Sequence, residues 1–300
     1  MVTTYKDIAI ALGDPNAARA VGTVMANNQD PDKYPCWRVV YSSGKVGNYS
    51  ATGGKKEKIA KMERDGITVL EGSIENFSEV RYDDFDIEPP LPELREVQGK
   101  IEGMVNQEHL EPPESVAGVD VSYGAKGVVA SYIEMSIPDG GVEYENYIFE
   151  ERVKFPYIPG YLAFRELPFL IRLLGKVENQ RELADVIFVD GNGLLHPRKA
   201  GLASHLGVVI NHPTIGVAKK LLCGETEDGE LSKGEIRDVE LGGKRIGLEV
   251  RTSARAKPIY VSVGNRIGLD QAADLTMGWS NYKLPEPLRQ AHKSAKSRAT

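Results

Sequence analysis

Residues 186–205, VIFVDGNGLLHPRKAGLASH, decide how the chain folds. Four apolar residues, Val186, Ile187, Phe188 and Val189, run into Asp190, and Gly191 and Gly193 then open a turn from which a helix leaves. A continuous β-rich run of this kind reads as a strand buried on both faces. Asp190 then stands at the carboxyl end of that strand, where open α/β sheets bind their ligands. The two glycines let backbone approach a substrate, and Asn192, His196, Arg198 and Lys199 add polar and cationic groups to the same turn. A capping role for Asp190 on the following helix fits this stretch as well, so the rest of the chain has to separate the two readings.

Around this strand, the C-terminal half alternates between strand and helix patterns. Residues 115–122, 127–137 and 147–155 read as three strands in succession, and a helix around 164–174 precedes the central strand. After it come a helix over 199–206, a short strand at 207–210, strands at 245–251 and 259–263, and a closing helix at 270–277. Strands followed by alternating helices predict a three-layer α/β domain with a mixed central sheet. Asp120 interrupts the apolar strand VAGVDVSY, where a buried acid is costly unless a charge compensates it. Glu166 opens a helix in YLAFRELPFL. Asp120, Glu166 and Asp190 are therefore candidates for a divalent-metal site, since Mg2+ accepts a few carboxylates and keeps several waters. Surface or capping roles remain open for each acid taken alone.

Length and composition set the frame. The 300 residues, 41% hydrophobic and 27% charged, describe a soluble globular chain long enough for two domains. No run approaches a membrane-spanning length, and the first residues lack the charged and apolar regions of a signal peptide, so a cytoplasmic monomer is expected. The two cysteines, Cys36 and Cys223, exclude a disulfide framework, and neither sits at CxxC spacing. A net charge of -6 argues against indiscriminate binding of polyanions. The charge is uneven, however. Residues 79–96 are heavily acidic, whereas Lys55, Lys56, Lys58 and Lys61 cluster upstream and 292–298 form a basic tail, which leaves room for local positive patches.

The N-terminal half opens with a helix-turn-helix pattern. Thr3 or Thr4 caps a first helix that ends at Gly13, and Asp14-Pro15 starts a second over 16–26. That second helix is lined by Ala17, Ala18, Ala20, Gly22 and Ala26, slim enough to press against nucleic acid with Arg19 projecting; close packing accounts for small residues equally well. Four acids and three prolines over 80–92 read as a semi-rigid linker, and a helix over 92–105 follows with Leu94, Val97, Ile101 and Val105 on one face. The expected division is thus a small helical domain over 1–79, a linker over 80–92 and an α/β domain over 93–300.

Two further resemblances rest on longer stretches. TYKDIAIALGDPNAARAVGTVMANN and YPCWRVVYSSGKVGNYSATGGKKEKIAKMERDG resemble the DNA-binding half of the alkylguanine-DNA alkyltransferases. The resemblance implies that the second helix enters the minor groove, that Arg19 fills the gap left by a flipped base, and that Tyr5 helps rotate the nucleotide. It also implies that Cys36 accepts the alkyl group, that Asn28 matches the asparagine preceding that segment, and that Glu63 is the distal carboxylate of the proton relay. Trp37 departs from the family pattern by standing where the relay histidine belongs. A thiol without that proton acceptor attacks slowly, so residual methyltransferase activity with intact DNA binding is expected.

The second resemblance covers residues 94–292. AGVDVSY, PYIPGYLAFRE, FVDGNGLLHPRKAGLASHLGV, PTIGVAKKLLCG and LPEPLRQAH, in that order, look like endonuclease V, the deoxyinosine-directed DNA repair nuclease with a ribonuclease-H-like fold. By that likeness Asp120, Glu166 and Asp190 hold Mg2+, for which Mn2+ substitutes, and Lys219 is the cation near the scissile phosphate. Tyr157, with Ile158 and Pro159, is the strand-separating wedge, and Gly160, Leu162, Gly191 and His196 build the pocket for a flipped hypoxanthine. The expected partner is damaged double- or single-stranded DNA containing deoxyinosine, cut at the second phosphodiester 3′ to the lesion. Asn265 is read as standing where relatives carry a histidine that helps hold the metal waters, with an altered pH profile or metal preference as the consequence. His205 and His212 are expected to be structural and Cys223 to pack. A sensor that binds damage without turnover and a ribonuclease for inosine in RNA are the alternatives.

Overall fold

A computed structural model describes residues 1–136 and 140–300; Ile137, the last residue of the strand expected over 127–137, lies outside them. The chain divides into two units, Met1–Leu94 with Pro156–Pro159, and Arg95–Phe155 with Gly160–Thr300. No helix among the described residues is long and apolar enough to cross a membrane.

In the first unit β1 (Thr3–Thr4) leads into α1 (Tyr5–Ala11) through reciprocal capping. Thr4 Oγ1 accepts from Asp7 N at 2.9 Å, and Asp7 Oδ2 accepts from Thr4 N at 3.2 Å. Asp14 Oδ1 accepts from Asn16 N at 2.9 Å, and a 3-10 turn over Pro15–Ala17 then passes into α2 (Ala18–Ala26). The expected helix-turn-helix is present, with its second helix started by that tighter turn. β2 (Val39–Val40) pairs in parallel with β1, and α3 (Gly54–Arg64), β3 (Val69–Leu70), β4 (Ser73–Ile74) and α4 (Phe77–Val80) follow. Val2, Val40, Val46, Met62, Ile67 and Ile74 make the core. Tyr82 N donates to Val2 O at 2.7 Å and Leu91 N to Leu12 O at 3.1 Å. α5 (Pro90–Met104) begins on its prolines, because a first-turn residue has no intrahelical use for its N–H.

The second unit is built on an eight-stranded sheet. Its strands are β5 (Ser115–Gly124), β6 (Gly127–Ser136), β7 (Val142–Glu150), β8 (Val186–Asp190), β9 (Thr214–Ala218), β10 (Ile236–Leu241), β11 (Lys244–Val250) and β12 (Ile259–Asn265). They lie in the order β10-β11-β12-β9-β8-β5-β6-β7, with β5, β8 and β9 parallel and the flanking strands antiparallel. The helices are α6 (Leu162–Glu178), α7 (Leu202–Val209), α8 (Leu269–Gly278) and α9 (Glu286–Ala299). Alternating side chains of the central strands feed two cores. Val116, Phe188 and Ile215 pack with Ala272, Ala273, Leu288 and Ala291 of α8 and α9. Ala117, Val119, Ile187 and Val189 pack with Phe169, Leu170, Leu173 and Leu206 of α6 and α7 on the other face. The result is the predicted three-layer α/β domain with a mixed central sheet.

Several elements differ from the sequence reading. The apolar run after His205 continues α7 through Val209, and the strand expected at 207–210 is instead β9, beginning at Thr214. Periodicity cannot distinguish a short buried helix from a buried strand, and Ile210 N bonds Leu206 O at 3.0 Å in the helical pattern. β7 starts five residues before the expected 147, as an edge strand in which only Asn146 is buried. β10 was not expected at all: of its six residues only Val239 is buried, so hydrophobic patterning is weak there. α9 has little apolar period to mark it: beyond Pro287 and Leu288 in its first turn, its buried face is made of small residues, Ala291, Ser294, Ala295 and Ala299.

Candidate active site

Strand register assembles the acids. Val119 of β5 pairs with Val189 of β8, so Asp120 and Asp190 emerge side by side, each one residue beyond that pair. Asp190 in turn pairs with Val217 of β9, and Lys219 leaves the sheet two residues later. Lys219 Nζ reaches Asp190 Oδ2 at 2.6 Å. From the neighbouring layer α9 crosses β5 at Gly118, where any Cβ would lie 2.3 Å from the Pro287 carbonyl carbon. That approach lets His292, further along the helix, bring Nδ1 within 3.1 Å of Asp120 Oδ2. Ligating atoms of Asp120, Asp190 and His292 all lie within 4.8 Å of one another.

Glu166, on the first turns of α6, is buried beside this trio. Burial pushes its carboxyl up to about 8, with the charges of Asp120 and Asp190 adding to the effect against a hydrogen bond from Tyr123. Tyr123 Oη donates to Glu166 Oε1 at 3.1 Å, and the Arg165 guanidinium lies 4.4 Å over the Tyr123 ring. Burial and then Asp190 likewise raise the Asp120 carboxyl. Acids held together against burial and mutual repulsion favour a cation between them. Two carboxylates and an imidazole, with a third carboxylate adjoining, form a donor set that could hold a divalent cation.

The residues expected to hold a flipped base fall into two groups. Gly160, at φ 80°, presents its carbonyl to three donors: Arg198 Nη2 at 2.5 Å, Gln98 Nε2 at 2.9 Å and His196 Nε2 at 3.2 Å. His196 Nδ1 accepts from Arg198 N at 3.1 Å, which assigns the ring's proton to Nε2. Leu162 begins α6 just beyond. Gly191 belongs to the Asp190 turn, where its N donates to Val217 O at 3.1 Å and the neighbouring Asn192 Oδ1 is buried without a partner among the described residues. Of the expected wedge, Tyr157 is 54% exposed whereas Ile158 is buried.

His196 and His205 make the second unit sensitive to acid. Burial, aided at His196 by Arg198, pulls each imidazole down to about 4 from an ordinary 6.5. A depressed folded pKa means that the unfolded chain takes up these protons first as the pH falls, so stability present above pH 6.5 is lost between 6.5 and 4. The limit for each is on the order of 3 kcal/mol. The urea midpoint should therefore drop sharply between pH 7 and pH 4.5 and drop less in His205→Leu. An equal drop in both proteins excludes His205 as a contributor.

In the first unit Cys36 is buried at the start of a 3-10 turn, Cys36–Arg38. Asn28 Nδ2 donates to Cys36 Sγ at 3.1 Å and to Tyr34 O at 2.7 Å. Cys36 borders a cavity of about 670 Å³ that Tyr5, Arg19, Tyr41 and Lys58 also line. Lys58, placed by the sequence in a basic surface cluster, is in fact 1% exposed. Its Nζ donates to Val39 O at 2.6 Å, and burial pulls its ammonium down to about 8.

Two assignments come out differently in three dimensions. Glu63 is exposed on α3, and the carboxylate that meets residue 37 belongs to Asp65: Trp37 Nε1 lies 3.4 Å and Arg38 Nη2 2.7 Å from Asp65 Oδ2. Asn265, expected beside the metal waters, pairs with Thr214 at the start of β9, the end of that strand away from Lys219. Its amide is used structurally, accepting from Asn106 N at 2.9 Å and donating to Gly207 O at 2.9 Å. His292 supplies the imidazole instead. The only sequence signal for it was its place in LPEPLRQAH, which carried no helix assignment and so no direction for the ring.

The family profile for endonuclease V matches residues 98–293, and that for the 6-O-methylguanine DNA methyltransferase DNA-binding domain matches residues 1–67. The chain is 38% identical over 97% of its length to a bifunctional methyltransferase/endonuclease of Thermoplasma volcanium, covering 84% of that protein. It is 37% identical to one of Picrophilus torridus, covering 97% of this chain and 89% of that one. The catalytic domain of human endonuclease V superposes with a TM-score of 0.65 at 32% identity, over 71% of this chain and 96% of that one. Endonuclease V of Ciona intestinalis, solved in complex with a 24mer DNA containing an inosine followed by a ribo-adenosine, superposes with a TM-score of 0.63 at 28% identity, over 70% of this chain and 98% of that one.

Proposed function

The chain belongs to the endonuclease V family and is a DNA repair endonuclease fused to an alkyltransferase-like DNA-binding domain; on that premise we propose that it incises DNA at deoxyinosine with the help of a divalent cation. The observation that carries the reading is the convergence of Asp120, Asp190 and His292, with Glu166 and Lys219 adjoining. Asp120, Asp190, His292 and Glu166 would hold Mg2+ or Mn2+, which when bound would add positive charge at the phosphate and lower the pKa of the attacking water. Lys219 adds a fixed positive charge where the transferred phosphate gains negative charge, and Asp190 holds it there. His292 is oriented by Asp120, and Glu166 by Tyr123. In this reading the work is divided between a DNA-binding module over 1–79 and a nuclease over 93–300.

For the lesion, Tyr157 is the exposed residue able to wedge between strands, and neutral His196 with the Gly160 loop, Leu162 and Gly191 receives the extruded hypoxanthine. Nicking of an end-labelled inosine duplex tests the proposal. The expected product is cut at the second phosphodiester 3′ to the inosine in Mg2+ or Mn2+ and is absent with EDTA. Binding without cutting in either metal leaves only a damage sensor. The neighbour crystallised with a ribo-adenosine after its inosine makes a ribonucleotide-containing duplex the second substrate to include.

In the N-terminal module Arg19 and Tyr5 are proposed to manage a flipped base, and Cys36 to retain slow alkyl transfer. Trp37 cannot take the thiol proton, and its indole is instead committed to Asp65, with the Lys61 ammonium 4.5 Å over the ring. Replacing the indole by imidazole should therefore rebuild a relay through Asp65. Trp37→His is expected to speed methyl transfer from O6-methylguanine DNA by at least 10-fold, toward the roughly 10²-fold that a positioned general base contributes. Transfer that persists in Cys36→Ala removes Cys36 from the account.

A further inference from the structure

Three lysines from separate segments gather at the same end of the sheet as the acids. Val250 of β11 pairs with Ile259 of β12, and Tyr260 pairs with Ala218 of β9. The antiparallel register thus sets Ile259 next to Lys219, at the edge where Asp190 closes β8. Lys257 stands two residues before Ile259 and is exposed. Thr252, two residues past Val250, is buried, and its Oγ1 donates to Lys283 O at 2.8 Å, fastening the segment that carries Lys283 to the same edge. Lys283 is close enough to Lys219 and Lys257 that, after partial burial, their charges are what pull its ammonium down.

Gathering like charges is unfavourable, and this chain has acids to spare, 43 against 37 lysines and arginines. Lys219 is answered by Asp190. Among the described residues Lys257 and Lys283 have no carboxylate within ion-pair distance. Beside a site that cuts a phosphodiester, a phosphate backbone is the counter-charge that fits this cluster of three.

We infer that Lys257 and Lys283 extend Lys219 into a track that grips successive phosphates of the incised strand. The inference rests on the nuclease reading of the adjoining acids. It assigns to the two lysines the binding of DNA of any sequence, while Lys219 acts on the reaction itself. A net-negative protein would in this way confine its affinity for nucleic acid to the strand that passes the acids.

The test compares wild type, Lys257→Gln/Lys283→Gln and, as a control, Lys244→Gln from the turn at the opposite end of β11. Affinity for an inosine duplex and for the same duplex without inosine is measured by fluorescence anisotropy over a series of salt concentrations without divalent metal. Each phosphate contact contributes a slope of about 0.9 in log affinity against log salt. The double variant should lose roughly 1.8 of slope on both duplexes, with KM for nicking raised about 10-fold and kcat within about twofold. Lys257→Arg/Lys283→Arg should keep the wild-type slope, and matching melting curves exclude misfolding. An unchanged slope in the double variant, or an equal loss in Lys244→Gln, overturns the inference. Because binding is read on undamaged duplex as well, these outcomes stand apart from the nicking result: a wild type that fails to nick inosine DNA overturns the proposed function, and the salt slope still decides the role of the lysines.

Discussion

Asp120→Asn is expected to nick an inosine duplex at least about 10³-fold more slowly than wild type, with the fold intact. The amide keeps the size of the carboxylate and still accepts from Ser122 Oγ, which lies 3.1 Å from Asp120 Oδ2. What it removes is the negative charge that faces Asp190 and His292. Without a cation that charge opposes folding, since burial and Asp190 both raise the Asp120 carboxyl. Asp120→Asn should therefore melt at the same temperature as wild type or above it in EDTA, while the upward shift in melting that Mn2+ gives wild type disappears. Loss of nicking with this pattern separates a ligand from a scaffold residue. A variant that cuts at near wild-type rate sinks the carboxylate site.

The second large effect is expected at His292. His292→Gln should raise the Mg2+ concentration needed for half-maximal nicking by about 10- to 100-fold, the range for groups that ligate or orient metal ligands. Asn265→His, by contrast, should leave metal dependence unchanged and cost stability, because the imidazole cannot both accept from Asn106 N and donate to Gly207 O in the space of the buried amide. Metal titrations of nicking, read beside melting curves of both proteins, check the pair together. Metal dependence that shifts with Asn265→His and not with His292→Gln would reverse the assignment.

Much of this molecule was open to reading along the chain. The run from Val186 to Asp190 is apolar on both faces, so its burial in a central parallel strand followed from residue types alone. Asp120 announced itself as a charge inside an apolar strand, and a capping threonine at 3 or 4 with Gly13 as the stop announced α1, to which the structure adds the reciprocal bond from Asp7. Elements with weak patterning are not legible this way: β10 buries only Val239, and past Leu288 α9 buries only alanines and a serine where larger residues would mark a face.

The linear order of residues determined the two joined modules, the sheet with helices on both sides, and the acids at the ends of its central strands, because these follow from local hydrophobic period and from the cost of burying a charge. Only the tertiary structure decided which groups share a site. His292 lies 172 positions from the Asp120 it meets, and it arrives through the packing of α9 against Gly118. Asp65 takes the contact with Trp37 that Glu63, two residues earlier, does not make, since a shift of two residues at a helix end turns a side chain to another direction. Contacts of this kind depend on strand register and helix placement, to which composition and spacing along one chain are blind.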